Sequence, residues 1–262
     1  ITQIAKQHGC RMLTAGHDFR HRYHPPQLRG QQQAIGRLDF EGDFAQQHLR
    51  LENLPLRLLG EHQAANTALA IATVAELRQQ GWSISPEAIR QATSELSLSG
   101  RLEVIGTNPA VVLDVAHNVA SAEALVESLD VSFSCQQRIL ILAATKDKDV
   151  PGIVRVLLPH FQKVIVTEYR DNQRAVPTAE LEHVVCKELN KLGRDSCEDV
   201  LCAPDSPLRA WQVAQQLVRD GEKQLVCITG SFFIVAELRG KLLARAKATS
   251  TPSVELSEPH KP

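Results

Sequence analysis

Val111-Val112-Leu113-Asp114-Val115-Ala116-His117-Asn118 is the stretch on which the fold turns. Its opening apolar run, residues 110–113, shows no polar alternation, as expected of a strand buried on both faces inside a helix-covered sheet. The run stops at a carboxylate, an imidazole and an amide follow, and residues 122–129 then take up a helical pattern. Strand, tight connection and helix recur toward the C-terminus. Apolar runs at 138–143, 164–167, 199–201 and 224–228 alternate with helical patterns at 150–158, 178–189, 206–218 and 232–242. This alternation predicts an α/β unit over residues 99–245 with a mostly parallel sheet and flanking helices.

Toward the N-terminus the character changes. Ser97-Leu98-Ser99-Gly100 is small and flexible and places a domain boundary near residue 98. Before it, Ser85 caps a helix that has Pro86 at its first position and runs to about Ser94. An Ala- and Leu-rich helix fills 64–80 and is closed by Gly81, and the alternation over 36–58 predicts two or three strands with one wet face. Residues 1–30, with a short helical pattern at 4–8, four histidines and Pro25-Pro26, read as a loop-rich segment. The Ser-, Thr-, Pro- and Glu-containing tail, 246–262, is expected to be disordered.

Composition narrows the classes of function. The 262 residues are 43% hydrophobic and 23% charged, and 29 Lys+Arg against 30 Asp+Glu give a net charge of -1. No bulk field favours a polyanion, so neither nucleic acid nor a membrane is expected as a partner. The six cysteines are dispersed with no C-x-x-C pair, which argues against structural zinc and for reduced thiols in a cytoplasmic protein. No apolar run has the length of a membrane-spanning helix. The opening Ile1-Thr2-Gln3 lacks Met and a signal pattern, and is expected to continue something longer.

In an open parallel sheet, ligands bind beyond the carboxyl ends of the strands, so the residues that end each run are the candidates. Besides Asp114, these are Thr145-Lys146-Asp147-Lys148-Asp149, Glu168 and Thr229-Gly230-Ser231. Each has an ordinary use as a turn or cap group. Asp114 and His117 can nevertheless face one crevice, and Asn118 can cap the next helix. Ser231 is either an N-cap or part of an anion site. Arg101, at the joint, is either a surface charge or a planar cation that reaches a phosphate across a cleft. His62 and Asn66 lie four apart at a helix start, hence on one face, where Asn66 either caps or reads a base edge.

Taken together these residues resemble the folylpolyglutamate synthase and dihydrofolate synthase family, within the ATP-dependent amide ligases that include the Mur ligases. Gly60-Glu61-His62-Gln63-Ala64-Ala65-Asn66 is similar to the family's G-x-H-Q-x-x-N helix, Gly100-Arg101-Leu102-Glu103 to its G-R-x-E, and Asp114-Val115-Ala116-His117-Asn118 to its D-x-A-H-N. Asp147-Lys148-Asp149, Arg174-Ala175 and Thr229-Gly230-Ser231 fall at further family landmarks. Gln63 favours the folate branch, and Val119 stands where the family commonly has Pro.

The resemblance implies a Rossmann-like C-terminal glutamate-ligase domain over 99–245, preceded in 1–98 by a remnant of the central ATPase domain. It implies ATP and Mg2+ as cofactors, and L-glutamate joined to folate or dihydropteroate through an acyl phosphate. Arg101 and His117 would be the catalytic pair; Asn66 would contact adenine, Arg101 the phosphates, Asp114 the ribose or nearby polar groups, and His117 the phosphate or glutamate region. Ser231 would lie near the glutamate. The G-x-x-x-x-G-K-[ST] phosphate loop has no counterpart here, since Gly240-Lys241 is followed by Leu242. The metal ligands are therefore expected outside these residues, in a missing N-terminal half that could be a separate partner chain, and the isolated chain is expected to be inactive. A Mur-type peptidoglycan-precursor ligase and a non-catalytic nucleotide-binding module are the alternatives.

Overall fold

The protein is described from a computed structural model, over residues 1–26, 35–45, 47–107, 109–170, 172–194, 196–204, 206–219 and 223–249. After a short helix α1 (Thr2–Gln7), strands β1 (Phe19–His24), β2 (Gly36–Phe44) and β3 (Gln47–Leu56) form an antiparallel sheet in that order. Helices α2 (Glu61–Gln79) and α3 (Pro86–Glu95) cover it. Leu38, Phe40, Leu54 and Leu56 from the sheet pack with Ala64, Ala68, Ile71 and Ile89 from the helices into one core. The caps follow the sequence: Ser85 Oγ accepts from the Ala88 amide, with Pro86 in the first turn of α3.

β1 corrects the reading of residues 1–30 as loop-rich. Phe19, His21 and Tyr23 alternate inward along it, and its register runs from Phe19 opposite Gly42 to His24 opposite Arg37. It lies at the edge of its sheet, so its other face tolerates Arg20, Arg22 and His24, and the histidines find acids: His21 meets Glu61 and His24 meets Asp39, each at 2.8 Å. Strong polarity hid the strand.

The second core is built on six strands, β4 (Glu103–Thr107), β5 (Ala110–Leu113), β6 (Gln137–Leu142), β7 (Lys163–Thr167), β8 (Val200–Ala203) and β9 (Gln224–Thr229). Their spatial order is β4-β5-β9-β6-β7-β8, with every pair parallel except β4–β5. The helices are α4 (Val119–Ser132), α5 (Val150–Leu157), α6 (Thr178–Lys191), a single turn α7 (Ser196–Asp199), α8 (Pro207–Leu217) and α9 (Phe232–Thr249). Residues of α4, α5 and α6 pack on one face of the sheet and residues of α8 and α9 on the other. The mostly parallel α/β architecture is the expected one. The antiparallel β4, in a stretch left without an element by the strand–helix pattern, adds a sixth strand; α9 continues through Thr249, past the expected start of the tail at 246. Residues 250–262 lie outside the described residues. Among the described residues no helix is long and apolar enough to cross a membrane.

The topology fixes the candidate edge. β9 is last in sequence yet lies between β5 and β6, so the chain reverses direction across the sheet at these three strands. Their carboxyl ends open the crevice where such folds hold ligands. Leu113 is level with Ile228, and Leu142 with Thr229, so Asp114, Gly230-Ser231 and Thr145 leave the sheet at the same end.

Candidate functional site

The joint begins at Gly100-Arg101-Leu102-Glu103. Gly100 has φ +68°, and a Cβ there would lie 2.8 Å from Val115 and 2.9 Å from Val235, so only glycine fits. Leu102 also holds a positive φ, 46°, a strained conformation for a side chain of its size, and its amide donates to Asp114 Oδ2 at 2.9 Å. The Val115 amide donates to the Gly100 carbonyl. Glu103 accepts from the Gly100 amide and takes a bidentate hydrogen-bonded pair from Arg239 of α9. Burial pushes the Glu103 carboxyl up, but the Arg239 and Gly100 hydrogen bonds outweigh it and hold the group below its ordinary value. The motif thus ties the segment after α3 to both β5 and α9.

Arg101 is the member left available. Among the described residues no carboxylate forms an ion pair with it, and its guanidinium lies 5.4 Å from the ring centroid of Phe232. His117 is beside the same ring, 6.0 Å between centroids. Its Nδ1 donates to the Val115 carbonyl at 2.9 Å, which leaves Nε2 as the ring atom for a ligand. The expected cap at Asn118 is present: its side chain accepts from the Ser121 amide while Ser121 Oγ accepts from the Asn118 amide, a reciprocal capping box at the start of α4.

Two of the expected site residues are engaged within the fold. Asp114 is 5% exposed, and its oxygens accept from the Leu102 and Ala116 amides. Burial raises its pKa to about 6 despite those two hydrogen bonds. Ser231 is buried too; its Oγ accepts from the Phe233 amide as the N-cap of α9 and lies 3.3 Å from Thr145 Oγ1. Thr145 Oγ1 in turn meets the Tyr169 hydroxyl at 2.9 Å. Glu168 caps α6 by accepting from the Thr178 amide, and Asp149 caps α5. The landmarks Asp147 and Arg174 meet at 2.8 Å.

Asn66 is exposed on α2 and lines an apolar groove of about 350 Å³ between α2 and α3, with Leu58, Ile84, Ala92 and Leu98. No hydrogen bond among the described residues joins it to Arg101, Asp114 or His117. The link to the joint is His62, one turn earlier. Gly60, at φ +99°, brings the start of α2 against α4, where a Cβ would lie 2.5 Å from Ser128 Oγ. His62 packs there with its Nδ1 buried and unpartnered among the described residues. Burial first, and the Arg101 charge second, lower the His62 pKa.

Phe232 and His62 are the residues that motif reading passed over. Phe232 reads as one more apolar residue opening a helix, whereas His62 was visible as a motif member without a role. Among the described residues no group of three His, Cys, Asp or Glu is placed to hold a metal ion. The described residues thus offer the magnesium implied by the resemblance no such cluster. An unpaired guanidinium does suit the phosphates of a nucleotide.

The fold defines an α/β domain whose sheet edge meets a second core at the Gly100–Glu103 joint. The chain belongs to the family described as Mur ligase, glutamate ligase domain, which matches residues 100–232. The dihydrofolate synthase/folylpolyglutamate synthase of Escherichia coli (strain K12) is 30% identical over 219 residues, covering 84% of this chain and 47% of that protein. The protein of the same description from Buchnera aphidicola (subsp. Schizaphis graminum) is 27% identical over 195 residues, covering 74% and 42%. Folylpolyglutamate synthase of Mycobacterium tuberculosis, solved with ADP and AMPPCP, superposes with a TM-score of 0.77 at 26% identity, covering 92% of this chain and 51% of that one. The chain thus spans about half the length of the relatives it matches.

Proposed function

We propose that these residues form the glutamate-ligase side of an ATP-dependent amide ligase that adds L-glutamate to folate or dihydropteroate, with residues 1–98 contributing part of the ATPase unit. The observation that carries the reading is that Arg101 and His117 share the Phe232 ring at the carboxyl edge of the sheet, with Glu103 of the same motif occupied by Arg239. ATP, when bound, supplies the phosphoryl group that activates a carboxylate for attack by the glutamate amine. Arg101 binds the phosphates and offsets the negative charge that builds during transfer. His117, oriented by the Val115 carbonyl, offers Nε2 to the phosphate or glutamate region. Asp114 orients both by fixing the Leu102 and Ala116 amides on either side of them. Asn66 contacts adenine from α2, and Ser231 braces the edge behind the glutamate. The magnesium ligands lie in the phosphate-loop part of the enzyme, and the site is that of a cytoplasmic protein.

Arg101→Ala in the intact enzyme tests the reading. A guanidinium–phosphate contact carries no information about the base, so the variant is expected to lose turnover and ATP affinity while adenosine affinity is kept. Unchanged turnover at saturating ATP and folate counts against the assignment.

A further inference from the structure

The first turn of α9 carries two adjacent phenylalanines that core packing does not explain: Phe232 is 51% exposed and Phe233 38%. Each has a specific partner. Phe233 lies 5.0 Å from Tyr169, whose hydroxyl anchors Thr145. Phe232 has the Arg101 guanidinium 5.4 Å from its ring centroid and the His117 ring at 6.0 Å, tilted by 46°. Three segments far apart in sequence, the joint, the β5–α4 connection and the start of α9, meet at this one ring.

An arginine side chain free in solvent samples many rotamers, and ordering it costs entropy that a ligand would otherwise have to overcome. A carboxylate partner would order it but would also neutralise it and compete with a phosphate. An aromatic face orders the guanidinium while leaving its charge and N–H donors unspent. The surroundings exclude the competing arrangement, because both oxygens of Glu103 are engaged by Arg239 and both oxygens of Asp114 by backbone amides. We propose that Phe232 is a positioning residue for Arg101: its ring holds the guanidinium beside His117, charged and unpaired, ready for a phosphate. The purpose assigned to the contact rests on the phosphate reading of Arg101; the contact itself does not.

The test uses the full chain with Phe232→Leu, which removes the π face, and Phe232→Tyr, which keeps it. Since Phe232 is half exposed, both variants are expected to fold, as an amide fingerprint spectrum checks. Ring currents should displace the Arg101 Hδ and Hε resonances in wild type and in Phe232→Tyr, and Phe232→Leu should return them to solvated values. ADP binding, followed by NMR titration, should weaken about two- to five-fold in Phe232→Leu, be restored in Phe232→Tyr, and leave adenosine binding unchanged. In an Arg101→Ala background the leucine substitution should add nothing, an effect that mere structural loosening would not produce. Arg101 resonances indifferent to Phe232→Leu overturn the proposal, and so does an ADP loss of equal size without Arg101. Arg101 shifts that depend on Phe232 in a chain that binds no ADP support the positioning and overturn the phosphate assignment.

Discussion

At the scale of single residues, Asp114 is a strand-end carboxylate that holds two backbone amides at the sheet's edge. Burial is the largest influence on it and raises its pKa to about 6, against about 3.9 for an unfolded chain. A raised acid stabilises the fold where it is protonated. Its contribution is full below pH 4 and is lost as pH rises through about 6, a change of about 3 kcal/mol. The stability difference between wild type and Asp114→Asn should therefore fall by that order between pH 4 and pH 7, measured by urea midpoints across the range. A difference that does not vary with pH would mean that the Leu102 and Ala116 amides fully compensate for burial. The sequence made Asp114, His117 and Arg101 legible as a group, because Asp114 and His117 follow an apolar run and Arg101 stands at the joint in a motif similar to G-R-x-E. It could not show that Asp114 and Ser231 turn inward, since the same letters serve a ligand or a backbone amide. Phe232 stayed hidden because an aromatic ring serving a cation looks, in sequence, like one serving a core.

Among elements, α2 and α4 carry the join between the two cores, and Gly60 sets their separation. At φ +99°, with Ser128 Oγ and His62 within 2.9 Å of any Cβ, the position admits neither the conformation nor the volume of alanine. Gly60→Ala is expected to destabilise by about 1–3 kcal/mol and to push α2 away from α4. Accelerated limited proteolysis in residues 96–100, without new cleavage inside β6 or β9, would report that separation; a cleavage pattern like wild type would deny it. Elements of strong period were readable, and α3 and α4 start at the expected caps, Ser85 and Asn118. β1 and β4 were not, for physical reasons that differ. β1 is an edge strand whose histidines find acidic partners across the sheet and on α2, whereas β4 is short, contains Gly106, and is recruited by its antiparallel pairing with β5.

For the molecule as a whole, the two cores meet where the sheet's carboxyl edge opens, and on the proposed reading the groups there complete a phosphoryl-transfer site rather than make one. Arg101 and His117 stand at one aromatic ring, and Asn66 lies on α2 beside an apolar groove. Transfer of a phosphoryl group depends on backbone amides, a lysine and a divalent metal acting as a unit, and removing part of such a unit costs orders of magnitude in rate. The 262 residues contain no G-x-x-x-x-G-K-[ST] loop, and the described ones hold no cluster of metal ligands. Purified alone, the chain is therefore expected to bind ADP weakly and to release none from ATP in the presence of folate, dihydropteroate and L-glutamate. The assay should include His117→Ala as a control for contaminating activity. Folate- and glutamate-dependent ADP release that His117→Ala abolishes would overturn the expectation, and would mean that the edge formed by β5, β9 and β6 cradles the phosphates by itself.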